Sequence, residues 1–383
     1  MKAQSCQYTS REIFFKSNWR RMACTPTEST PMKGGDGPYS YAHNSSYQRQ
    51  GVEIARVLIN EAIAEKLDID QFFSSTSSKL FNIADLGCSV GPNTIIAVEN
   101  IINSVKLKYQ SFGPNQEVLE FQVFFNDHAS NDFNTLFKSL PSDKKYFAAG
   151  VPGLFQGRLF PKASLHFVHS SYALHWLSKV PKELIDKKSP AWNKGRIFYN
   201  NAPNEVREAY SAQFSKDIES FLNVRAQELI AGGLMTLIIL CVPDGSSSQC
   251  SKFALFDLLG ACLNEMSDVG LLSEDKVDSF NFPQYHPTRQ ELETLVKRNS
   301  CFSIERMEPL IFPERIRMAL DVQMVILQLR AAWEELIKGH FGNDIIDELF
   351  DLFKKKIVES SFLSQSSVMP MLEIYVLLKR KIY

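Results

Sequence analysis

Residues 81–86, Phe-Asn-Ile-Ala-Asp-Leu, form a short and mostly apolar run that ends at Gly87. A turn with Gly91-Pro92-Asn93 follows, and then Ile95, Val98, Ile101, Ile102 and Val105 recur at helical spacing over 94–106. A buried strand, a glycine turn and an amphipathic helix in that order commit the chain to a layered α/β structure. Further apolar runs at 119–125, 165–168 and 234–240 read as strands. Helices are expected between them at 133–140 and 218–229, the latter stopped by Gly232-Gly233. Apolar strands alternating with helices predict a parallel sheet covered on both faces.

The last third is mostly helical by pattern, at 253–266, 289–298, 322–338 and 343–358, with strands at 302–307 and 373–378. The expected fold class is α/β, a doubly wound Rossmann-like sheet with a helical cap formed by insertions. Its boundaries would be a core over 32–245 with returning strands in 301–310 and 372–383. Cap segments would fill 246–300 and 311–371, and residues 1–31 stand apart.

Asp85-Leu86-Gly87-Cys88-Ser89-Val90-Gly91-Pro92-Asn93 sits where the first strand meets its helix. Glycines there let a ligand approach the backbone, and the helix start offers free N–H groups. The turn is neither GxGxxG nor a P-loop, because no GK[ST] follows. It suits a nucleoside without a pyrophosphate; a plain tight turn is the alternative. Asp127 ends the second strand on the same sheet edge, where a carboxylate can accept both ribose hydroxyls. Its competing role is a helix cap, but Asp132 is better placed to cap the helix at 133.

Ser170-Ser171-Tyr172-Ala173-Leu174-His175-Trp176 follows the 165–168 strand. Tyr172, His175 and Trp176 share a face if the segment is helical, either as an aromatic core stripe or as a pocket wall. His166 and His169 lie three apart on a strand, face opposite ways and read as packed histidines. Cys88 reads as a small residue near a ligand. No GxSxG or HExxH motif occurs.

Composition removes several classes. Lys plus Arg is 42 against 43 Asp plus Glu, so nothing favours a nucleic-acid partner. No apolar run reaches the roughly 18 residues of a membrane span. Seven Cys without a paired framework imply reduced thiols and a cytoplasmic protein. Residues 1–31 are rich in Ser and Thr, carry Arg11, Lys16, Arg20 and Arg21, and read as a disordered tail or extension, or as a transit peptide. Met22 offers a second start.

Taken in order, these motifs resemble the plant SABATH methyltransferases, the salicylic acid, benzoic acid and theobromine group. The resemblance runs from Met32 to the C-terminus. It rests on Met32-Lys33-Gly34-Gly35 leading to Ser40-Tyr41-Ala42-His43-Asn44-Ser45, on the 85–93 turn, and on Asn126-Asp127 with Asn131-Asp132-Phe133-Asn134. It continues through Val151-Pro152-Gly153, the 169–176 segment, Asn193-Lys194-Gly195, and Val277-Asp278-Ser279-Phe280-Asn281 with Pro283-Gln284-Tyr285. The runs at 171–183, 193–197 and 277–287 are nearest to the loganic acid branch.

The resemblance implies a methyltransferase sheet, S-adenosylmethionine as cofactor, a small carboxylic acid as partner and a homodimer. It places Tyr41 and Ser45 at the methionine part of the cofactor. Asp85, Gly87, Cys88 and Asn93 would line its cleft, with Asp127 and His128 at the ribose and adenosine. Leu154-Phe155 stand where the family has Ser-Phe at the adenine, so Phe155 can stack while Leu154 offers backbone only. Gln48 and Trp176 match the pair that holds the substrate carboxylate and would carry catalysis. Tyr172, His175, Leu255, Phe256, Tyr285, Leu329, Ala332 and Met371 fall where the family shapes its acyl pocket. A magnesium site is implied at Asn193, Asp278, Phe280 and Asn281; methyl transfer from a sulfonium needs no Lewis acid, so these also read as a hydrogen-bond cluster. Gln48 favours esterification, because purine N-methylating members generally lack it. N-methylation of a purine-type alkaloid and a non-catalytic cofactor-binding relative are the rival readings. His175 replaces a Met typical of salicylate-selective members, whereas Phe256 stands where the loganic acid branch carries a polar residue.

Overall fold

A computed structural model describes residues 30–73, 79–111, 118–243, 251–312, 321–360 and 370–382. The expectations about residues 1–29, including the tail, the transit peptide and Met22, lie outside these residues. The chain opens with α1 (Ser46–Lys66) and the short α2 (Ile69–Phe73). Then come β1 (Leu80–Leu86), α3 (Pro92–Gln110), β2 (Glu120–Asp127), α4 (Phe133–Ser139), β3 (Phe147–Pro152) and β4 (Leu165–Ser171). The second half holds α5 (Asn204–Glu228), β5 (Leu229–Cys241), α6 (Ser251–Asp268), α7 (Glu274–Ser279) and α8 (Arg289–Arg298). It closes with β6 (Phe302–Pro309), α9 (Val322–Phe341), α10 (Ile346–Glu359) and β7 (Leu372–Arg380).

The seven strands form one sheet in the order β3-β2-β1-β4-β5-β7-β6. β1 to β5 pair in parallel, while β7 runs antiparallel to both β5 and β6. Strand order reverses between β1 and β4, the switch point at which open α/β sheets bind ligands.

Both faces of the sheet are buried, as the apolar runs predict. Along β5, Leu234, Ile238 and Leu240 join one core with Ile59 and Ile63 of α1 and Val98 and Ile101 of α3. Met235, Leu237 and Ile239 join the other, with Phe214, Phe221 and Leu222 of α5. The period of two along a strand sends alternate residues to opposite layers. α8 packs on α5 and β6, whereas α6, α9 and α10 pack on one another.

Several elements differ from expectation, and β3, α2 and α7 had not been expected. α5 ends at Glu228, and β5 runs through Gly232 and Gly233 instead of starting after them. The glycine pair makes a bulge: pairing with β4 jumps from Leu165↔Leu229 to Phe167↔Leu234, and Gly232 has φ +79°. α1 had not been expected, although Val52, Ala55, Ile59 and Ile63 follow helical spacing and are buried. The 172–176 segment is a turn, not a helix. Tyr172 has φ +56°, a conformation that bulky side chains rarely adopt, and the Trp176 N–H donates to the Ala173 carbonyl at 2.9 Å.

A fully buried ion pair fixes the loop between β3 and β4. Arg225 and Glu228 lie 2.7 Å apart, and both side chains are 0% exposed. The Arg225 guanidinium donates to the Phe155 and Gly157 carbonyls at 3.0 and 2.9 Å. Glu228 accepts from the Leu159 and Phe160 N–H groups at 2.6 and 2.9 Å. Two charges far from water are tolerated because Arg225 Nε and Glu228 Oε2 face each other while the other two guanidinium nitrogens and the other carboxylate oxygen hydrogen-bond to the backbone. Arg225→Met strands Glu228, so chemical denaturation is expected to show a loss of about 3–5 kcal/mol. A loss under about 1 kcal/mol would mean that the loop is held by its other contacts.

Candidate active site

The nucleoside end is built from the β1–α3 turn and the tip of β2. The Gly87 and Cys88 N–H groups both donate to the Asn126 carbonyl at 2.9 Å, pinning the turn to β2. The Asp127 carboxylate accepts from the Ser89 N–H and from the His128 N–H, each at 2.7 Å. Asn131 donates to the Ser89 carbonyl at 3.1 Å. Gly87 has φ +79°, and a β-carbon there would collide with that of Ala173 and lie 3.8 Å from the Phe155 ring. The backbone conformation and the space therefore both demand glycine. The helix-cap alternative for Asp127 is settled by geometry: Asp132 caps α4, accepting from the Thr135 N–H at 3.0 Å.

Asp85 lies beside Asp127, is 3% exposed and accepts from the Thr94 hydroxyl. Burial pushes Asp85 up to about 7; the Thr94 hydrogen bond opposes this and the Asp127 charge adds to it. Burial likewise raises Asp127 to about 6, against the two N–H donors at Ser89 and His128. The Tyr41 hydroxyl is pushed upward by burial and then by both aspartates, and the Cys88 thiol by the same three causes. Both are neutral donors beside an acidic pair.

The strap before α1 closes this end. The Asn93 amide donates to the Ser45 hydroxyl and carbonyl at 2.9 and 3.1 Å, and its oxygen accepts from Arg49 at 3.3 Å. Ser45 and Asn93 are thus brought together. Asn93 is committed to holding the strap. His128 turns its ring to the Ser130 hydroxyl at 2.7 Å. Phe155 sits edge-on to Phe221 with centroids 6.2 Å apart, while the Leu154 side chain is 40% exposed.

At the other end, Tyr172 and His175 are buried, at 7% and 4% exposure. Trp176 forms a β-bridge with Gln284, and the Tyr285 N–H donates to the His175 carbonyl at 2.9 Å. The 283–285 strip therefore holds the Trp176 turn in place. Gln48 lies on the first turn of α1, with its amide oxygen buried and without a protein hydrogen-bond partner among the described residues. Leu255, Leu329, Ala332 and Met371 edge the same apolar cluster as Trp176.

Two residues expected at the acyl pocket also pack into the aromatic core. Phe256 is 0% exposed, stacked on Phe198 at 3.9 Å and on Trp333 at 5.0 Å. The Tyr285 phenol turns to the Glu291 carboxylate at 3.0 Å, and its ring packs on Tyr199 and Phe214. His166 stacks on Phe81 and accepts from the Asn82 N–H, and His169 pairs with Thr236 at 2.9 Å. Sequence spacing missed Glu373, which is 3% exposed and accepts the Tyr172 hydroxyl; the partners are 201 residues apart, so no local pattern marks them.

The residues expected at a magnesium ion do not fit one. Asp278, the only carboxylate of the four, accepts from the Gly195 N–H at 2.8 Å. The Asn281 oxygen is taken by the Asn193 amide at 2.7 Å, and the Phe280 ring packs on Phe282 and Phe341. One buried oxygen, on Asn193, has no partner, which is far short of the roughly six that octahedral Mg²⁺ requires. Among the described residues no group of three or more His, Cys, Asp or Glu could hold a metal. No helix among them is long and apolar enough to cross a membrane.

A doubly wound sheet with an acidic, glycine-lined cleft at its switch point defines a nucleoside-binding α/β enzyme. Residues 27–381 match the family model for SAM dependent carboxyl methyltransferases. The chain is 47% identical over 359 residues to a loganic acid O-methyltransferase of Catharanthus roseus, covering 93% of this chain and 96% of that one. It is 44% identical over 332 residues to a farnesoic acid carboxyl-O-methyltransferase of Arabidopsis thaliana, covering 86% and 93%. A solved loganic acid methyltransferase with SAH superposes with a TM-score of 0.87 at 47% identity, over 92% of this chain and 99% of that one. The chain belongs to the S-adenosylmethionine-dependent carboxyl methyltransferases.

The acidic pair fits a cationic cofactor. An ammonium or sulfonium brought within about 4–6 Å favours the ionised carboxylate. At pH 6.5, binding of S-adenosylmethionine should therefore release protons from Asp85 and Asp127. Calorimetry in buffers of different ionisation enthalpy is expected to show this release, shrinking towards pH 9 and falling in Asp127→Asn. Equal heats in all buffers at pH 6.5 would exclude it. Unfolded carboxylates titrate near about 4, so the folded protein holds extra protons between about 4 and 7. The stabilisation from this pair is full in acid and is lost as pH rises through that window.

Proposed function

We propose that this chain transfers a methyl group to the carboxylate of a small plant acid, with Gln48 and Trp176 holding that carboxylate. The observation that carries the proposal is membership of the carboxyl methyltransferase family, with relatives named for carboxylic acids; Gln48 stands half-buried on the first turn of α1. Bound S-adenosylmethionine supplies an electrophilic methyl group. The protein's task is then alignment and exclusion of water. A carboxylic acid with a pKa of about 4 arrives ionised, so no general base is needed. The Gln48 amide and the Trp176 indole donate hydrogen bonds without adding charge. Lys or Arg in that place would quench the nucleophile by pairing with it.

Asp127 and His128 would hold the ribose side, Tyr41, Ser45 and Asp85 the methionine side, and Phe155 the adenine. Gly87, closed on its other side by Ala173, and Cys88 would line the nucleoside's cleft. The acyl pocket would be walled by Tyr172, His175, Leu255, Leu329, Ala332 and Met371. Acids like those named for the relatives, loganic and farnesoic, are the first to offer it. The Asn193–Asp278–Asn281 cluster serves to tie two loops together and needs no ion. A homodimer and a cytoplasmic location remain part of this reading.

Gln48→Ala is expected to lower kcat/KM for the acid by about 100-fold, near 3 kcal/mol, with S-adenosylhomocysteine affinity changed by less than about threefold. A labelled-methyl assay beside calorimetry measures both. Equal losses would remove Gln48 from the clamp. Methyl transfer to a purine, with none to any acid, would replace esterification by N-methylation.

A further inference from the structure

Helix α1 carries Gln48, and β7 seats that helix. Three residues of β7, two or four apart and so on one face, meet α1 in order. Glu373 lies against Gly51, the Tyr375 hydroxyl donates to the Leu58 carbonyl at 3.4 Å, and Lys379 donates to the Lys66 carbonyl at 2.8 Å. The contact nearest the site is the closest-packed. Gly51 is buried one turn beyond Gln48. A β-carbon at Gly51 would overlap the Tyr172 hydroxyl and stand 2.7 Å from the ring carbon that bears it and 2.9 Å from a Glu373 carboxylate oxygen. The Tyr172–Glu373 hydrogen bond therefore fills a notch in α1.

The same hydrogen bond reaches the other half of the clamp. Tyr172 holds a left-handed backbone at φ +56°, four residues before Trp176. Such a conformation persists only where surrounding contacts impose it. Here the contacts are the Tyr172 N–H to the Ile238 carbonyl at 2.9 Å, the Tyr47 ring at 6.2 Å, and Glu373. Lys252, near the start of α6, lies within electrostatic reach of Glu373, His175 and His286. The His175 and His286 rings are 5.1 Å apart. Burial lowers Lys252 to about 7, and the nearby Glu373 carboxylate opposes that shift.

We infer that Glu373 is a positioning residue for the carboxylate clamp: through the Tyr172 hydroxyl seated at Gly51, it sets the Gln48 helix against the Trp176 turn. The inference rests on the proposed Gln48–Trp176 clamp. A buried acceptor facing a phenol fixes the ring's direction, and a notch without a side chain fixes how closely α1 approaches. Both parts of the clamp then take their places from one hydrogen bond.

Steady-state kinetics of the full chain with loganic and farnesoic acids as acceptors tests it, using four variants. Glu373→Leu removes the acceptor and is expected to raise the acid KM by about tenfold or more, with the S-adenosylmethionine KM within about twofold. Glu373→Gln keeps an acceptor for the phenol and should recover most of that loss. Gly51→Ala fills the notch and should reproduce the acid-specific loss. Tyr172→Phe removes the donor and should reproduce the acid-specific loss with Glu373 intact. Equal effects on both KM values, no recovery in Glu373→Gln, or a lower melting temperature with both KM values unmoved would overturn the inference and reduce Glu373 to a packing role. If the unmodified protein esterifies neither acid but methylates a purine, the clamp itself falls and the inference with it.

Discussion

The cofactor end depends on the Asp127 carboxylate. It accepts from Ser89 in the turn after β1 and from His128 beyond its own strand, so one side chain sets the spacing of two strand tips. The adjacent Asn126 adds the Gly87 and Cys88 hydrogen bonds through its carbonyl, and its amide donates to the Val151 and Gly153 carbonyls at 2.7 and 2.9 Å. Three strand ends, β1, β2 and β3, are thereby drawn to one point. The resulting cleft is acidic and short of water, which makes carboxylate protonation expensive to undo without a cation. A neutral nucleoside would gain less from such a cleft than a positively charged one.

The acceptor end uses the opposite chemistry. Its expected clamp is neutral, and its walls are aromatic and aliphatic. Titratable groups sit further back, at Glu373 and Lys252. This division suits a reaction between an anion and a cation. Under the proposed assignment, the cofactor side would stabilise positive charge and the acceptor side would leave the carboxylate's charge unquenched. Transfer cancels both charges, so neither product keeps the attraction that drew the reactants together.

Much of this was legible in the sequence. Period-two and period-3.6 patterns marked β1, α3, β2, β4 and the helices from α6 to α10 that were expected, because each buries one or two whole faces. Asp132 could be told from Asp127 by capping distance alone, since a cap must precede its helix directly. The errors have physical causes. Gly232-Gly233 looked like a helix stop because glycine ends helices, yet it also makes bulges, and only strand pairing distinguishes the two. Tyr172, His175 and Trp176 have helical spacing but lie on a turn held by Ile238 and Gln284, partners far away in sequence. Phe256 and Tyr285, expected at the pocket by position, pack their rings among Phe198, Tyr199, Phe214 and Trp333, contacts that no local pattern marks.

The least legible part is the seat of α1. Its apolar positions are regular, but Gly51 within it is a poor helix former, costing about 1 kcal/mol against alanine. Such a residue weakens a sequence argument for a helix and gains its meaning only from what fills the space. Here that is a phenol from the turn after β4 and a carboxylate from β7, drawn from three distant parts of the chain. A local cost in helix propensity is offset by a contact that aligns two elements. The glycine is therefore better understood as a docking surface than as a flexible joint, and a larger residue at 51 would push α1 away from Tyr172 and Glu373.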